Sequence, residues 1–172
     1  MELMELVRTR QSVRKYQQKP VEPAKLQTVL TVATHAPSAS NLQAYKVYVI
    51  RDQPTKETLA LLAFGQDFVA QAPVVLVFCA DLTRAKAFGH IIEQNYSPQD
   101  TIIAMAYAQL AAADQGLATC WIGAFEEKQV AAALKLPDTQ RPIALTPLGY
   151  AAETPQPVPH RPLSELVVDK GS

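Results

Sequence analysis

A continuous apolar run places the strongest constraint on how this chain folds. Pro73 introduces the run, and the six residues that follow, Val74–Cys79 (VVLVFC), include no charged, amide or hydroxyl side chain. A strand with one face in solvent alternates apolar and polar residues, whereas a strand covered on both faces has no such alternation. The run therefore predicts a central strand in a sheet that carries helices on both faces.

Helical and strand-like segments surround this run in an irregular order. The predicted helices cover residues 1–9, 23 up to the break at Pro37, 54–63, 82–93, 97–116 and 126–134, and the predicted strands cover residues 44–50, 73–79, 118–122 and 143–150. Because helices and strands do not alternate strictly, we predict an α+β fold rather than a doubly wound one. With 172 residues the chain has the length of one domain, which we place at residues 1–172.

Two segments have compositions that suggest packing against a neighbour. The stretch IIAMAYAQLAAADQ at residues 102–115 is rich in alanine, and its small side chains allow a second helix to approach closely. We predict that it is the central packing helix, although alanine is also simply a strong helix former. The tail TPQPVPHRP at residues 154–162 has too much proline for a helix or an inner strand, so we predict an extended arm. An arm of this kind commonly completes a partner subunit.

Charge and hydropathy exclude several classes of partner. The formal net charge is +0, the pI is about 6.8 and no basic run is longer than Arg14-Lys15, so we expect no nucleic acid partner. No apolar stretch approaches the ~20 residues of a membrane helix. The N-terminus MELMELVRTRQS has acidic residues where a signal peptide has basic ones. We therefore expect a cytoplasmic protein without membrane contact.

Several catalytic and metal-binding signatures are absent from the sequence. Cys79 and Cys120 lie in apolar runs without metal-ligand spacing, which indicates buried, reduced thiols and no metal site. The six glycines form neither a GxGxxG fingerprint nor a P-loop, and no GxSxG nucleophile motif is present. We therefore predict no Rossmann-type dinucleotide domain and no hydrolase chemistry.

The segment Arg10-Gln11-Ser12-Val13-Arg14 combines two arginines with a hydroxyl. In an extended segment, residues two apart point the same way, so Arg10, Ser12 and Arg14 would line one face. Guanidinium groups present forked donors that match a phosphate dianion. The segment is therefore a candidate phosphate site, and the alternative is a solvated basic loop.

A polar loop follows the second predicted helix. Its residues Ser38, Asn41 and Gln43 offer hydroxyl and amide groups that both donate and accept hydrogen bonds, as the edge of a flavin ring requires. The alternative is an ordinary helix-to-strand turn, for which proline, serine and asparagine are common.

Two further segments are candidates for the same ligand. Arg161, flanked by Pro159 and Pro162, is a cation on a stiff backbone, unless it is an ordinary surface arginine of the tail. The run Ile122-Gly123-Ala124 closes a predicted strand, and its glycine permits a flat ligand to approach backbone N–H groups. Two cationic stretches and an amide-bearing loop together suggest a bound flavin mononucleotide (FMN).

Five stretches of the sequence resemble, in order, motifs of the nitroreductase family of FMN-dependent NAD(P)H oxidoreductases. They read RTRQSVRKY, HAPSASNLQAYKVYVI, APVVLVFCAD, ADQGLATCWIGAF and LGYAAETPQPVPHRPL, and together they extend over nearly the whole chain. The resemblance implies an α+β fold with a mostly antiparallel central sheet flanked by helices. It also implies a homodimer that binds FMN at the subunit interface, with the C-terminal arm of one subunit swapped onto its partner.

The resemblance further implies a set of cofactor-binding residues. The predicted set is Arg10, Gln11, Ser12, Arg14, Pro37, Ser38, Ala39, Asn41, Gln43, Ile122, Gly123, Ala124 and Arg161. The arginines and Ser12 would hold the phosphate and ribityl end of FMN. The members between Pro37 and Gln43 would contact the ring, with Asn41 and Gln43 reaching the cofactor of the other subunit. Residues 122–124 would direct backbone N–H groups toward the reactive central ring.

By the same resemblance, the activity is hydride transfer from NAD(P)H and reduction of a small organic acceptor (nitroaromatic, quinone or enone) in a ping-pong scheme. The flavin carries the chemistry, so no catalytic side chain is predicted. Two alternatives stay open: a non-catalytic flavin-binding carrier or sensor, and a relative with dehalogenase or flavin-degrading activity. Pro159 and His160 stand where many relatives carry a lysine, and the segment 85–99 is short. We therefore expect weaker charge compensation at the phosphate and a more open site.

Overall fold

A four-stranded sheet forms the centre of the fold in the computed structural model, which describes residues 2–86 and 95–171. Its strands are β1 (Tyr45–Ile50), β2 (Val74–Asp81), β3 (Ala118–Thr119) and β4 (Gln140–Gly149). They lie in the order β1-β2-β4-β3, and each neighbouring pair is antiparallel. The predicted α+β class with a mostly antiparallel sheet is therefore confirmed.

The helices around this sheet mostly match the sequence prediction. In the described residues they are α1 (Leu3–Thr9), α2 (Pro23–Thr34), α3 (Gln53–Leu62), α4 (Phe68–Gln71), α5 (Leu82–Lys86), α6 (Ser97–Asp114), α7 (Glu127–Ala133) and α8 (Leu163–Leu166). α2 ends before Pro37 because the residue that precedes a proline is disfavoured in helical geometry. The prediction lacks α4 and α8, which have 4 residues each and are too short to show a helical period. The helix predicted at 82–93 is confirmed as far as Lys86, and residues 87–93 lie outside the described residues.

The central strand β2 is covered on both faces, as its composition predicts. All 8 of its residues are buried. Alternate side chains pack with α2 and α6 on one face and with α3, α4 and α7 on the other. The first set comprises Val74, Leu76 and Phe78, and the second comprises Val75, Val77 and Cys79. The fold therefore has three layers, with the sheet between two layers of helices.

The alanine-rich helix α6 occupies the centre of one helical layer. Ala104, Ala108 and Ala112 are at most 1% exposed and recur every four residues, so they form a flat strip along one side of the helix. The helix packs against α2 and also contacts β2 and β4. The prediction of a central packing helix is therefore confirmed.

In the described part of the chain, the C-terminal tail beyond the half-buried Pro155 contributes nothing to the core. Residues 156–171 are exposed, and within the described part of the chain their hydrogen bonds join only members of the same segment. Apart from α8 the tail has no regular structure, and it presents apolar side chains to solvent, with Val158 78% and Val168 77% exposed. Its placement on a partner subunit stays a prediction.

Cys79 and Cys120 are both buried free thiols, as the sequence indicates. Burial raises the pKa of the Cys79 thiol to about 12, which keeps it protonated and unreactive at neutral pH. Among the residues that the structure describes, no helix is long and apolar enough to cross a membrane. The same residues include no group of three or more His, Cys, Asp or Glu side chains arranged to hold a metal ion.

Candidate functional site

The arginine segment, Arg10–Arg14, leaves α1 and runs beside β3. Ser12 forms a parallel bridge with Thr119, and the Val13 N–H donates to the Thr119 carbonyl at 3.0 Å. The Val13 side chain is only 4% exposed, so it occupies the core side of the segment. In an extended segment its neighbours Ser12 and Arg14 then lie on the opposite side, as the sequence predicts.

Three polar side chains of this segment, Arg10, Ser12 and Arg14, influence the Cys120 thiol. Burial raises the pKa of this thiol, and Arg14, a hydrogen bond to Ser12 and the charge of Arg10 all oppose the rise. Ser12 pairs with Thr119, the residue before Cys120, so the segment lies beside this thiol.

Both guanidinium groups of the arginine segment are available to a ligand. In the described part of the chain, neither Arg10 nor Arg14 forms an ion pair. Glu153 lies beside the segment, but its carboxylate accepts the backbone N–H of Arg14, at 2.6 Å. Two unpaired guanidiniums with a hydroxyl between them suit a phosphate dianion. Gln11, the remaining predicted residue, lies half-buried beside Arg10 in a cleft of about 200 Å³ between α1 and α6.

The predicted polar loop, Ser38–Gln43, forms an amide loop between α2 and β1. Ser40, Asn41 and Gln43 adopt left-handed backbone conformations with φ of 50°, 54° and 50°. For residues other than glycine each such conformation costs on the order of 1 kcal/mol, and such strain concentrates at functional sites. The Ser38 hydroxyl accepts the Gln43 N–H at 3.0 Å. Asn41 is exposed, and so is Pro37, which precedes the loop. The loop is therefore a strained segment that presents amide groups to solvent.

Helix α6 contacts the amide loop through Asp100, a residue that the sequence prediction does not assign to the site. Both carboxylate oxygens of Asp100 accept the Ala39 N–H, at 3.1 and 3.2 Å. Burial raises the pKa of this carboxyl, and the hydrogen bond from Ala39 opposes the rise. The sequence prediction treats Asp100 only as an acid at the start of a helix. Its spacing of four from Ala104, and of eight from Ala108, places it on the buried side of α6 and was the signal for a structural role.

The segment 122–124 offers fewer free N–H groups than the sequence predicts. Ile122 is buried, and its N–H donates to the Leu145 carbonyl at 3.0 Å, so this group is not open to a ligand. Gly123 and Ala124 are exposed, and within the described residues their N–H groups donate no hydrogen bond. A flat ligand at this segment therefore meets the backbone of Gly123 and Ala124.

The turn after α3 lies close to two of the predicted segments, a proximity that sequence reasoning did not identify. The Glu126 N–H donates to the Leu62 carbonyl at 2.9 Å, which places this turn beside the end of the 122–124 segment. At its other end Phe68 packs against the cluster of Val13, Tyr16 and Ala72, which includes one residue of the arginine segment. The intervening Gln66 is half-buried. The sequence shows this turn only as a helix end, because its proximity to the site depends on the packing of distant segments.

The arginine segment and the amide loop of one chain lie at opposite ends of the sheet. The arginine segment follows Thr119 of β3, and β3 pairs with the part of β4 that lies opposite Val74, the first residue of β2. The amide loop leads into Ala44, whose carbonyl accepts the N–H of Asp81, the last residue of β2, at 2.9 Å. The two parts therefore lie at opposite ends of β2, whose 8 residues extend over about 23 Å. The structure therefore does not bring all predicted site residues together within one chain.

Arg161 is also separate from the arginine segment. It lies in the exposed tail, and its Nε donates to Glu165 Oε2 at 3.0 Å, one helical turn along the chain. The hydrogen bonds of Arg161 stay within the tail. Its predicted role at the phosphate therefore requires the tail to reach a phosphate site elsewhere.

Comparison with known proteins is consistent across sequence and structure. The nitroreductase family model matches residues 7–66 and 55–150 of this chain. A Thermus thermophilus protein named NADH dehydrogenase is 33% identical over 187 residues, which cover 92% of this chain and 91% of the relative. A Salmonella typhimurium protein named oxygen-insensitive NADPH nitroreductase is 32% identical, with 96% of this chain and 72% of the relative covered. The solved structure of the NADPH:FMN oxidoreductase from Vibrio harveyi, complexed with NAD+, superimposes with a TM-score of 0.91 at 25% identity, over 98% of this chain and 77% of that one. The chain therefore belongs to the nitroreductase family.

Proposed function

We propose that this chain is an FMN-dependent oxidoreductase that takes hydride from NAD(P)H and reduces a small organic acceptor. The observation that carries the proposal is that Arg10, Ser12 and Arg14 lie on one short segment beside β3, with both guanidiniums free of ion pairs in the described residues. The family relatives add support, since one is named an NADPH nitroreductase and another an NADPH:FMN oxidoreductase.

The donor set of the candidate site fits FMN. The arginine segment supplies two guanidiniums and a hydroxyl for a phosphate. The N–H groups of Gly123 and Ala124 are exposed and suit the polar edge of a flat ring. Bound FMN supplies the two-electron redox chemistry. The protein contributes position and electrostatics, because cations and N–H donors stabilise the negative charge that develops on a ring when it accepts hydride.

The distance between the two halves of the site supports a homodimer. The arginine segment and the amide loop lie about 23 Å apart in one chain, too far for both to enclose one mononucleotide. We infer that the amide loop, with Asn41 and Gln43, contacts the cofactor of a second copy. The tail would bring Arg161 to the phosphate of that copy.

Exposed apolar side chains provide surfaces for such a partner. α1 exposes Leu3, Met4 and Val7 at 67%, 61% and 47%, and it packs directly against α6. On α6, Ile103 and Tyr107 are each 37% exposed and lie one turn apart on the same face. Apolar side chains grouped in this way indicate a protein interface. Residues 1–172 would then form one FMN-binding domain of a cytoplasmic homodimer.

NAD(P)H and the organic acceptor would occupy the same open space above the ring, one after the other. The exposed backbone of Gly123 and Ala124 marks one approach to the ring, and no Rossmann motif in the sequence provides a separate nicotinamide domain. NAD(P)H would therefore leave before the acceptor enters, which is a ping-pong scheme. Nitroaromatic compounds, quinones and enones are the acceptor classes that we propose.

Reduction of the bound cofactor distinguishes an enzyme from a flavin carrier or sensor. Under anaerobic conditions, NADH or NADPH is expected to bleach the visible absorbance of FMN bound to the protein, and a quinone added afterwards should restore it. Free FMN at the same concentration serves as the control and is expected to react much more slowly. An FMN-loaded protein that stays yellow with both nicotinamides would support the carrier or sensor instead.

A further inference from the structure

Hydrogen bonds within the amide loop and contacts from outside it together hold its conformation. Ser40, Asn41 and Gln43 all have left-handed backbone conformations, which residues other than glycine adopt rarely. Strained segments of this kind persist only where the surrounding structure determines their conformation. The body of the fold must therefore supply contacts that oppose relaxation of the loop.

Within the described residues, three side chains of the helical layer supply these contacts. The Asp100 carboxylate accepts the Ala39 N–H through both oxygens, at 3.1 and 3.2 Å. The Ser97 hydroxyl donates to the Ala44 carbonyl at 2.7 Å, and the Arg84 guanidinium donates to the Leu42 carbonyl. Of these three contacts, only the one from Asp100 lies directly before the left-handed residues. It is made to the N–H of Ala39, the residue that precedes Ser40.

Asp100 places a carboxylate in the protein interior, where burial of a charged group is unfavourable. It is 4% exposed, and in the part of the chain that the structure describes no lysine or arginine forms an ion pair with it. Its position in the first turn of α6 favours a negative charge there. Ala104 and Ala108 fix the same side of α6 in the core, so the helix holds the carboxylate against Ala39. A buried carboxylate whose hydrogen bonds go to a strained loop points to a role in that loop.

We propose that Asp100 is a positioning residue that holds the amide loop so that Asn41 and Gln43 present their amides to the flavin ring of the second copy. The two amides lie side by side, because Gln43 Nε2 donates to Asn41 Oδ1 at 3.0 Å. Neighbouring amides of this kind match neighbouring polar groups on a ring edge. This inference rests on the proposed function, since the loop has a ring to contact only where FMN binds.

Asp100→Asn tests this role with little change in side-chain volume. The asparagine oxygen still accepts the Ala39 N–H, but charge-assisted hydrogen bonds are roughly twice as strong as neutral ones. The amide loop contacts the ring and not the phosphate, so affinity is expected to fall about three- to tenfold for FMN and riboflavin alike. Fluorescence-quenching titrations measure both affinities. Hydrogen exchange at the Ala39 amide is expected to become faster in the same variant.

Thr101→Val is the matched control. Thr101 is fully buried in the same turn, but its hydroxyl donates to the Ser97 carbonyl within the helix, at 2.7 Å. Both flavin affinities should stay at the wild-type values in this control, even if stability falls. An unchanged affinity in Asp100→Asn, a loss confined to FMN, or an equal loss in the control would overturn the proposal. A wild type that binds neither flavin overturns the proposed function itself, whereas unchanged exchange at Ala39 in Asp100→Asn overturns the role of Asp100 by itself.

Discussion

Arg14→Ala is expected to lower the affinity for FMN by about ten- to a hundredfold, because a charge-assisted hydrogen bond contributes roughly 1.5–3 kcal/mol. Arg14 is exposed, and its N–H, which donates to Glu153 at 2.6 Å, is retained in the variant, so the fold should survive. Riboflavin lacks the phosphate and should bind wild type and variant almost equally. Fluorescence-quenching titrations with the two ligands measure this difference.

Lys15→Ala is the control for Arg14→Ala. Lys15 is exposed and carries the same charge, but it is not among the predicted cofactor-binding residues, so its removal should leave both affinities unchanged. An equal loss of FMN and riboflavin affinity in Arg14→Ala would place Arg14 at the ring or in the fold. An equal loss of FMN affinity in Lys15→Ala would show a general charge effect rather than a phosphate contact.

Gly149→Ala is expected to reduce the free energy of unfolding by about 3 kcal/mol, at the upper end of the range for an overpacked core. A Cβ at this position would lie 2.6 Å from Cδ and 2.9 Å from Cγ of Pro73, and 3.2 Å from Cδ1 of Tyr16. The proline ring is stiff and adjoins the central strand, so it yields only if the pairing of β2 with β4 shifts. Urea denaturation followed by circular dichroism measures the change.

Gly123→Ala provides the comparison for stability. A Cβ at Gly123 meets the Trp121 indole at 3.5 Å, which is an ordinary contact, so its effect on unfolding should stay below about 1 kcal/mol. Equal stability of the Gly149→Ala variant and the wild type would show that the strands move apart freely. The close packing of Pro73, Tyr16 and Gly149 would then not hold the arginine segment in place.

The central layers of this fold follow from local patterns in the sequence. Val74–Cys79 is apolar throughout because both faces of β2 are covered, and the alanines of α6 recur where α2 packs against it. Arg10, Ser12 and Arg14 belong to one short segment, and an extended segment places alternate residues on one face. In each case the signal lies within a few residues of the feature that it predicts.

The parts that the sequence did not reveal depend on long-range packing. Asp100 contacts Ala39 across 61 residues, and no local pattern indicates which backbone N–H a buried acid meets. The turn at Gln66 lies near the 122–124 segment because the Glu126 N–H donates to the Leu62 carbonyl. The separation of the arginine segment from the amide loop follows from the strand order β1-β2-β4-β3, which local periodicity does not determine.

Sedimentation velocity of the purified protein, followed at both protein and flavin absorbance, tests most directly whether FMN binds between two copies of the chain. The expected result is a yellow species of about twice the 18.8 kDa chain mass, with one FMN per chain. A colourless protein that fails to take up added FMN would contradict the flavin assignment. A monomer at micromolar concentration that retains its flavin would contradict a site built from two subunits.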